Sequence, residues 1–336
     1  MLNSKNSGQI FFFGMIFIYI FQFAFMFILE FLGRDIDSSN VIFIYIINNT
    51  ALLIAVFAFK GKDYKMLSSV KKTNWAALPW LILIFIGTLL TGLSLSTFFL
   101  YFLELLGYKS GGGIMLNMGT VPQLFIAIGV IAVLPSIFEE IFVRGAILDG
   151  LRKNGFVTAI FLSALFFMLM HGSAEQTVHQ FLFGLIAGYI VIISGSLITG
   201  MIFHFINNLT TVLIIYFAGG IAAETEAELT FMDILSTYTI LLAVGIVLLI
   251  LGLKFYTEQL ARARIKKDPS LTDGYIGIMR GRKDLKFIEK LCAWFADPVF
   301  VPEVSIGRKE VLDPWIYIAI GLGAALWITN FVYAFM

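Results

Sequence analysis

Nine apolar runs, at residues 10–32, 40–59, 76–106, 120–143, 156–171, 178–194, 197–217, 235–253 and 314–335, limit what this chain can become. A helix that crosses the hydrocarbon core of a bilayer needs about 20 predominantly apolar residues, and tilt or local thinning accommodates small differences. Each run meets or nearly meets that length. The expected fold is all-α, a polytopic transmembrane helix bundle of about nine spans, with eight or ten as the alternative counts. The weakest boundary is the one between 178–194 and 197–217, where Ser194-Gly195-Ser196 supplies the only break. The first run is longer than the roughly 7–15-residue core of a signal peptide and no small-x-small pattern follows it, so it is expected to remain as a span.

Composition excludes the soluble alternatives. Hydrophobic residues make up 59% of the 336 and charged residues 13%, against roughly 45–50% and about 25% in soluble domains. With 23 basic and 22 acidic side chains the net charge is +1, so no basic surplus is available to neutralise the phosphates of a nucleic acid. A single cysteine, Cys292, forms no intramolecular disulfide and no thiolate cluster for a metal. Residues 111–113, all glycine, lack the lysine and flanking strand of a phosphate loop and read as a flexible connector.

Short loops rich in lysine and arginine resist translocation, and their positions set the orientation. Lys60, Lys62, Lys65, Lys71 and Lys72 follow the second run, and Arg152 and Lys153 follow the fourth. Both loops are expected in the cytoplasm, with the acidic stretch of Glu224, Glu226, Glu228 and Asp233 on the other side. The same parity returns the basic segment 254–313 to the cytoplasm and places the N-terminus inside and the C-terminus outside a cell membrane. Within that segment Leu285, Ile288, Leu291, Cys292 and Phe295 recur at helical spacing, the pattern of an interfacial amphipathic helix. The chain thus divides into N-terminal transmembrane helices (1–115), a central group of spans (116–217) and a C-terminal part (218–336) holding a span, the basic segment and the final span.

An ionisable group inside a spanning helix costs at least about 2.5–3.5 kcal/mol, so it calls for a partner, a water-filled cavity or a place near the interface. The central spans hold several: Glu139, Glu140 and Arg144, then His171, then His204 with Asn208. Glu140 and Arg144 are four apart, on one helix face, where they form a charge-assisted pair. Glu139 points about 100° away and is left to act on another group. Pro135, four residues earlier, removes a backbone hydrogen bond next to the acidic pair. His204 and Asn208 project side by side, with Asn207 adding to a polar turn, and Phe167 and His171 are likewise one turn apart. Spacing alone leaves the bland readings open: glutamates reaching for headgroups and histidines satisfied by packing. His179, beside Gln176 and Gln180, is accounted for by exposure at the interface. Gly184 and Gly188 would let their helix approach a neighbour closely.

The ordered set Glu139-Glu140-x-x-x-Arg144, Phe167-x-x-x-His171 and His204-x-x-x-Asn208 on successive apolar helices resembles the CPBP family of intramembrane proteases. That family includes the CAAX prenyl endopeptidase of eukaryotes and the bacterial Abi proteins linked to bacteriocin processing and self-immunity. The resemblance covers about residues 120–215 and makes 116–217 the catalytic core. It implies hydrolysis of a peptide bond in or beside the membrane, with Glu139 as general base for a water and His171 assisting. His204 and Asn208 would donate to the tetrahedral oxyanion, and Glu140 with Arg144 would support the site. No cofactor is the favoured expectation. Zinc is the alternative, held by Glu139, His171 and His204, although the chain lacks the His-Glu-x-x-His pattern and Asn208 is a poor zinc ligand. The expected partners are the lipid bilayer and a membrane-associated peptide or protein substrate, of bacterial origin rather than a CAAX protein. A non-catalytic scaffold, immunity or regulatory protein is the rival reading. A transporter is disfavoured because no inverted repeat echoes the polar cluster.

Overall fold

Without water to satisfy peptide groups, an apolar run crosses hydrocarbon only as a helix, and in the computed structural model each of the nine runs is helical. The structure describes residues 2–34, 38–61, 72–109, 116, 118–218, 231–271, 310–333 and 335. In chain order the helices are α1 (Ser4–Phe31), α2 (Ser38–Phe59), α3 (Leu78–Leu105), α4 (Val121–Asn154), α5 (Phe156–His171), α6 (Thr177–Ser194), α7 (Leu197–Ala218), α8 (Phe231–Lys267) and α9 (Pro314–Tyr333). Among the described residues there is no strand. Eight of the nine are long and apolar enough to cross a membrane, and α5, with 16 residues, is shorter.

Contacts between helix ends fix how the chain alternates. The Asp313 N–H donates to Ser4 Oγ (3.2 Å) and Asn6 Nδ2 to the Phe59 carbonyl (2.8 Å). Asn154 Nδ2 donates to the Glu310 carbonyl (2.9 Å) and Thr199 Oγ1 lies 3.2 Å from Thr73 Oγ1. Arg264 donates to the Ile193 carbonyl. The starts of α1, α3, α5, α7 and α9 and the ends of α2, α4, α6 and α8 therefore share one end of the bundle, where Lys60, Arg152, Lys153 and Lys267 also gather. At the opposite end Trp327 Nε1 donates to Thr177 Oγ1 (2.8 Å) and Asn330 Nδ2 to the Gly172 carbonyl (2.9 Å).

Two boundaries differ from those expected. Hydropathy falls after residue 253, yet α8 continues to Lys267, because Tyr256, Thr257, Leu260 and Ala261 bury a stripe against the bundle. The turn at Ser194-Gly195-Ser196 has no charge of its own, and Arg264 from that extension caps it. The basic residues 62, 65 and 71, the glycines 111–113, Glu224, Glu226, Glu228 and the expected amphipathic helix at 285–295 lie outside the described residues.

Candidate active site

The site is built on an irregular helix. In α4 the stretches Ile128–Val133 and Ile141–Leu148 are wound as π-helix, and the intervening Leu134–Glu140 is α-helical. In the first stretch the Leu134 N–H reaches back five residues to the Gly129 carbonyl. Pro135 then has no N–H to give, and the carbonyl four residues before it, Ile131, accepts instead from Asn208 Nδ2 on α7 (3.0 Å). In the second stretch the Ile147 carbonyl accepts from Ser7 Oγ on α1 (2.9 Å). Each wide turn is thus tied to another helix, and Glu139 and Glu140 sit between them.

Glu140 is fully buried and Arg144 is 1% exposed. Glu140 Oε1 accepts from Arg144 Nη1 (2.5 Å) and from His204 Nδ1 on α7 (3.0 Å). The guanidinium also lies over the Phe167 ring, 4.5 Å from its centroid, a cation–π arrangement, and donates from Nη2 to the Gly184 carbonyl (3.4 Å). Burying an ion pair stabilises only when its remaining polar atoms are satisfied. Here the ring faces, the imidazole and the carbonyl do part of that, while Glu140 Oε2 and Arg144 Nε have no hydrogen-bond partner. That oxygen fills the space of an absent side chain, since a Cβ on Gly200 would lie 2.8 Å from it.

Glu139 faces the other nitrogen of the same ring. Its Oε2 is 3.9 Å from His204 Nε2, and the side chain keeps 15% exposure. This is too far for a hydrogen bond and matches a gap bridged by one water, two hydrogen bonds of about 2.8 Å meeting near a right angle. Glu139 Oε2 is buried without a hydrogen-bond partner.

His171 ends α5, capped by Gly172 in the left-handed conformation (φ 61°). At about 1.5 Å per residue α5 is about 24 Å long, short of the roughly 30 Å core, and its last residue stays among the neighbouring helices. His171 Nδ1 donates to the Phe167 carbonyl (2.8 Å), which leaves Nε2 as the outward nitrogen. The Phe167 ring meets both histidines edge-on, with centroids 4.8 Å from His171 and 5.8 Å from His204. His171 is within electrostatic reach of Glu139, His204 and Arg144.

Glu139, Glu140, Arg144 and His204 thus form one contact group, with His171 across Phe167. Asn208 lies one turn beyond His204, with Nδ2 on Ile131 and Oδ1 accepting from Asn207 Nδ2 (3.2 Å). The sequence reading passed over Phe183, whose ring is 5.0 Å from His204 and 5.8 Å from the Arg144 guanidinium. It also placed His179 in the interface, whereas the ring turns inward against Gly92 of α3. The available signal was the four-residue spacing of His179 and Phe183, which puts both on one face of α6. Among the described residues no group of three or more His, Cys, Asp or Glu side chains is placed to hold a metal ion.

Residues 121–210 match the family model for type II CAAX prenyl endopeptidase Rce1-like proteins. The match spans α4, α5, α6 and most of α7, the helices that carry Glu139, Glu140, Arg144, His171, His204 and Asn208. No curated protein and no solved structure matches the chain.

Proposed function

We propose that this multi-pass membrane protein is an endopeptidase that hydrolyses a peptide bond of a membrane-associated peptide or protein with a water activated by Glu139. The observation that carries this reading is the 3.9 Å separation of Glu139 Oε2 and His204 Nε2. A water held between a carboxylate and an imidazole has a base to take its proton and a second group to orient it. Glu139 accepts the proton as the water oxygen attacks the scissile carbonyl, and later passes it to the leaving amine.

Charge then develops on the carbonyl oxygen. Asn208 Nδ2 spends one hydrogen on Ile131 and keeps the second, and His204 Nε2 carries the other donor when protonated, so together they supply an oxyanion site. Glu140 holds the ring through Nδ1 and Arg144 holds Glu140, which fixes the direction of Nε2 before substrate arrives. His171 offers Nε2 to the same centre and assists Glu139. No metal is required for these steps. The end of the bundle that carries Lys60, Arg152, Lys153 and Lys267 faces the cytoplasm under the positive-inside rule.

The test is hydrolysis by the purified protein in liposomes of two quenched fluorescent substrates, a farnesyl-cysteine peptide and a transmembrane peptide. Cleavage of at least one, lost in Glu139→Gln, supports the reading. No cleavage of either, or full activity of Glu139→Gln, overturns it.

A further inference from the structure

The two carbonyls that follow His171 are both held from α9. Asn330 Nδ2 donates directly to the Gly172 carbonyl (2.9 Å). Thr177 Oγ1 donates to the Ser173 carbonyl (2.9 Å) and accepts from Trp327 Nε1 (2.8 Å), so α9 reaches the second carbonyl through one hydroxyl. Trp327 and Asn330 are three residues apart and share a face of their helix. Gly172 fits closely under that face, since a Cβ there would lie 3.0 Å from Asn330 Nδ2. The same loop carries Ala174 into a small apolar cluster with Leu103 of α3, Tyr108, Trp327 and Phe331. Its rings form a column, Trp327 stacked on Phe331 (5.1 Å, 12°) and Phe331 on Tyr108 (6.0 Å, 23°).

The bond from His171 Nδ1 to the Phe167 carbonyl sets the ring against its own helix. It does not set where that helix ends relative to α4 and α7, which carry Glu139 and His204. The last carbonyls of a helix have no partner within it, and terminal turns fray unless they are tied. Here the final turn closes on a 3.2 Å bond from the Gly172 N–H to the Leu169 carbonyl, at the long end of the normal range. The ties beyond it come from elsewhere in the chain. With the carbonyls of Gly172 and Ser173 bonded towards α9 and Ala174 packed in the ring cluster, the chain leaves α5 in one direction. The last turn unwinds only by breaking those bonds.

We propose that Trp327 and Asn330 are positioning residues: by holding the two carbonyls after His171 they fix the last turn of α5 and so the place of His171 Nε2 in the catalytic centre. The proposal rests on the reading of His171 as the group that assists Glu139. It also gives α9, which lies outside the matched residues 121–210, a part in the reaction.

The test combines steady-state cleavage of the farnesyl-cysteine and transmembrane peptides with NMR of protein carrying 13C-labelled histidine. The chain has three histidines, and the His171 signal is the one lost in His171→Gln. A variant combining Trp327→Phe with Asn330→Leu keeps a stacking ring and an apolar side chain and removes both donors. It is expected to displace the His171 signal and to lower kcat about 10- to 100-fold, the scale of a misplacement of about 1 Å, with KM unchanged. Made in a His171→Gln background, the same pair is expected to cost less than about two-fold, because residues that act through one another do not add. Gly321→Ala, on α9 with nothing within 4 Å of its Cβ, is expected to change neither readout. If the wild type cleaves and the combined variant keeps either its kcat or its His171 signal, the inference is overturned while the proteolytic function stands. An equal loss of kcat with and without His171 also overturns it, as the mark of a general weakening of the fold. Should His171→Gln leave no measurable cleavage, the kcat and the histidine signal of the combined variant decide. If the wild type cleaves neither peptide, the proteolytic function falls, and an unmoved His171 signal in the combined variant then sinks the positioning role.

Discussion

Glu140 and His204 are joined by a 3.0 Å contact between Oε1 and the imidazole Nδ1, while the neighbouring carboxylate, Glu139, stands 3.9 Å from Nε2 of the same ring. Two adjacent glutamates thus address opposite nitrogens of one histidine. The near contact is a hydrogen bond that holds the ring; the far one is longer than a direct hydrogen bond.

The two carboxylates are therefore expected to fail differently. Glu139→Gln removes a base and leaves packing intact, so peptide cleavage should fall about 10²- to 10⁴-fold, the usual worth of general-base catalysis, with the melting temperature unchanged. Glu140→Gln leaves Arg144 as a buried charge without its counter-ion, which costs about 3–5 kcal/mol. Its melting curve in detergent should move to lower temperature as activity is lost, and identical melting of the two variants would show that the labour is divided otherwise.

Gly200 is predicted to be as sensitive as a charged residue. A Cβ would lie 2.8 Å from Glu140 Oε2 and 2.6 Å from the Val191 side chain, so Gly200→Ala must displace the carboxylate that holds His204. Overpacking of this kind costs about 1–3 kcal/mol. Thermal unfolding and cleavage should both suffer, whereas Gly195→Ala, with nothing within 4 Å of its Cβ, carries backbone strain (φ 62°) and should affect stability alone.

Asn208 is expected to carry two separable effects. Loss of one oxyanion donor lowers kcat by about 10² to 10³, or about 2.7–4 kcal/mol, and loss of the bond to Ile131 leaves a carbonyl next to Pro135 unpaired, worth about 1–3 kcal/mol. Asn208→Ala should show both in kinetics and melting. A variant with normal kcat and lowered stability would confine Asn208 to a structural role.

Activity is predicted to survive exhaustive chelation, since the proposed steps use carboxylate, imidazole and carboxamide alone. Cleavage that stops on chelation and returns with zinc, together with about one zinc per chain by elemental analysis, would replace the glutamate mechanism with a metal one.

Sidedness is checked by cysteine labelling in a Cys292→Ser background. Val311, 90% exposed, lies at the basic end, and Tyr333, 77% exposed, at the other. With the basic end in the cytoplasm, an impermeant maleimide added to intact cells should label Tyr333→Cys and reach Val311→Cys only after permeabilisation. The opposite pattern would invert the protein.

The sequence by itself determined what depends on neighbours along the chain. Hydropathy located the nine long apolar helices of the described residues, because the transfer of an apolar run into hydrocarbon is a property of the run. The pairing of Glu140 with Arg144 was equally legible, because four residues along a helix put two side chains on one face whatever surrounds them. The tertiary structure decided what depends on how helices rotate and tilt against one another, which no periodicity encodes. It tied His204 to Glu140 rather than leaving it only beside Asn208, and it turned His179 against Gly92 on a remote helix. It also extended α8 past the end of its apolar run, where burial of Tyr256 and Leu260 outweighed the local polarity. The π-wound turns of α4 belong to the same class. Pro135 announced a missing hydrogen bond, but only the approach of α7 specified that Asn208 would supply it.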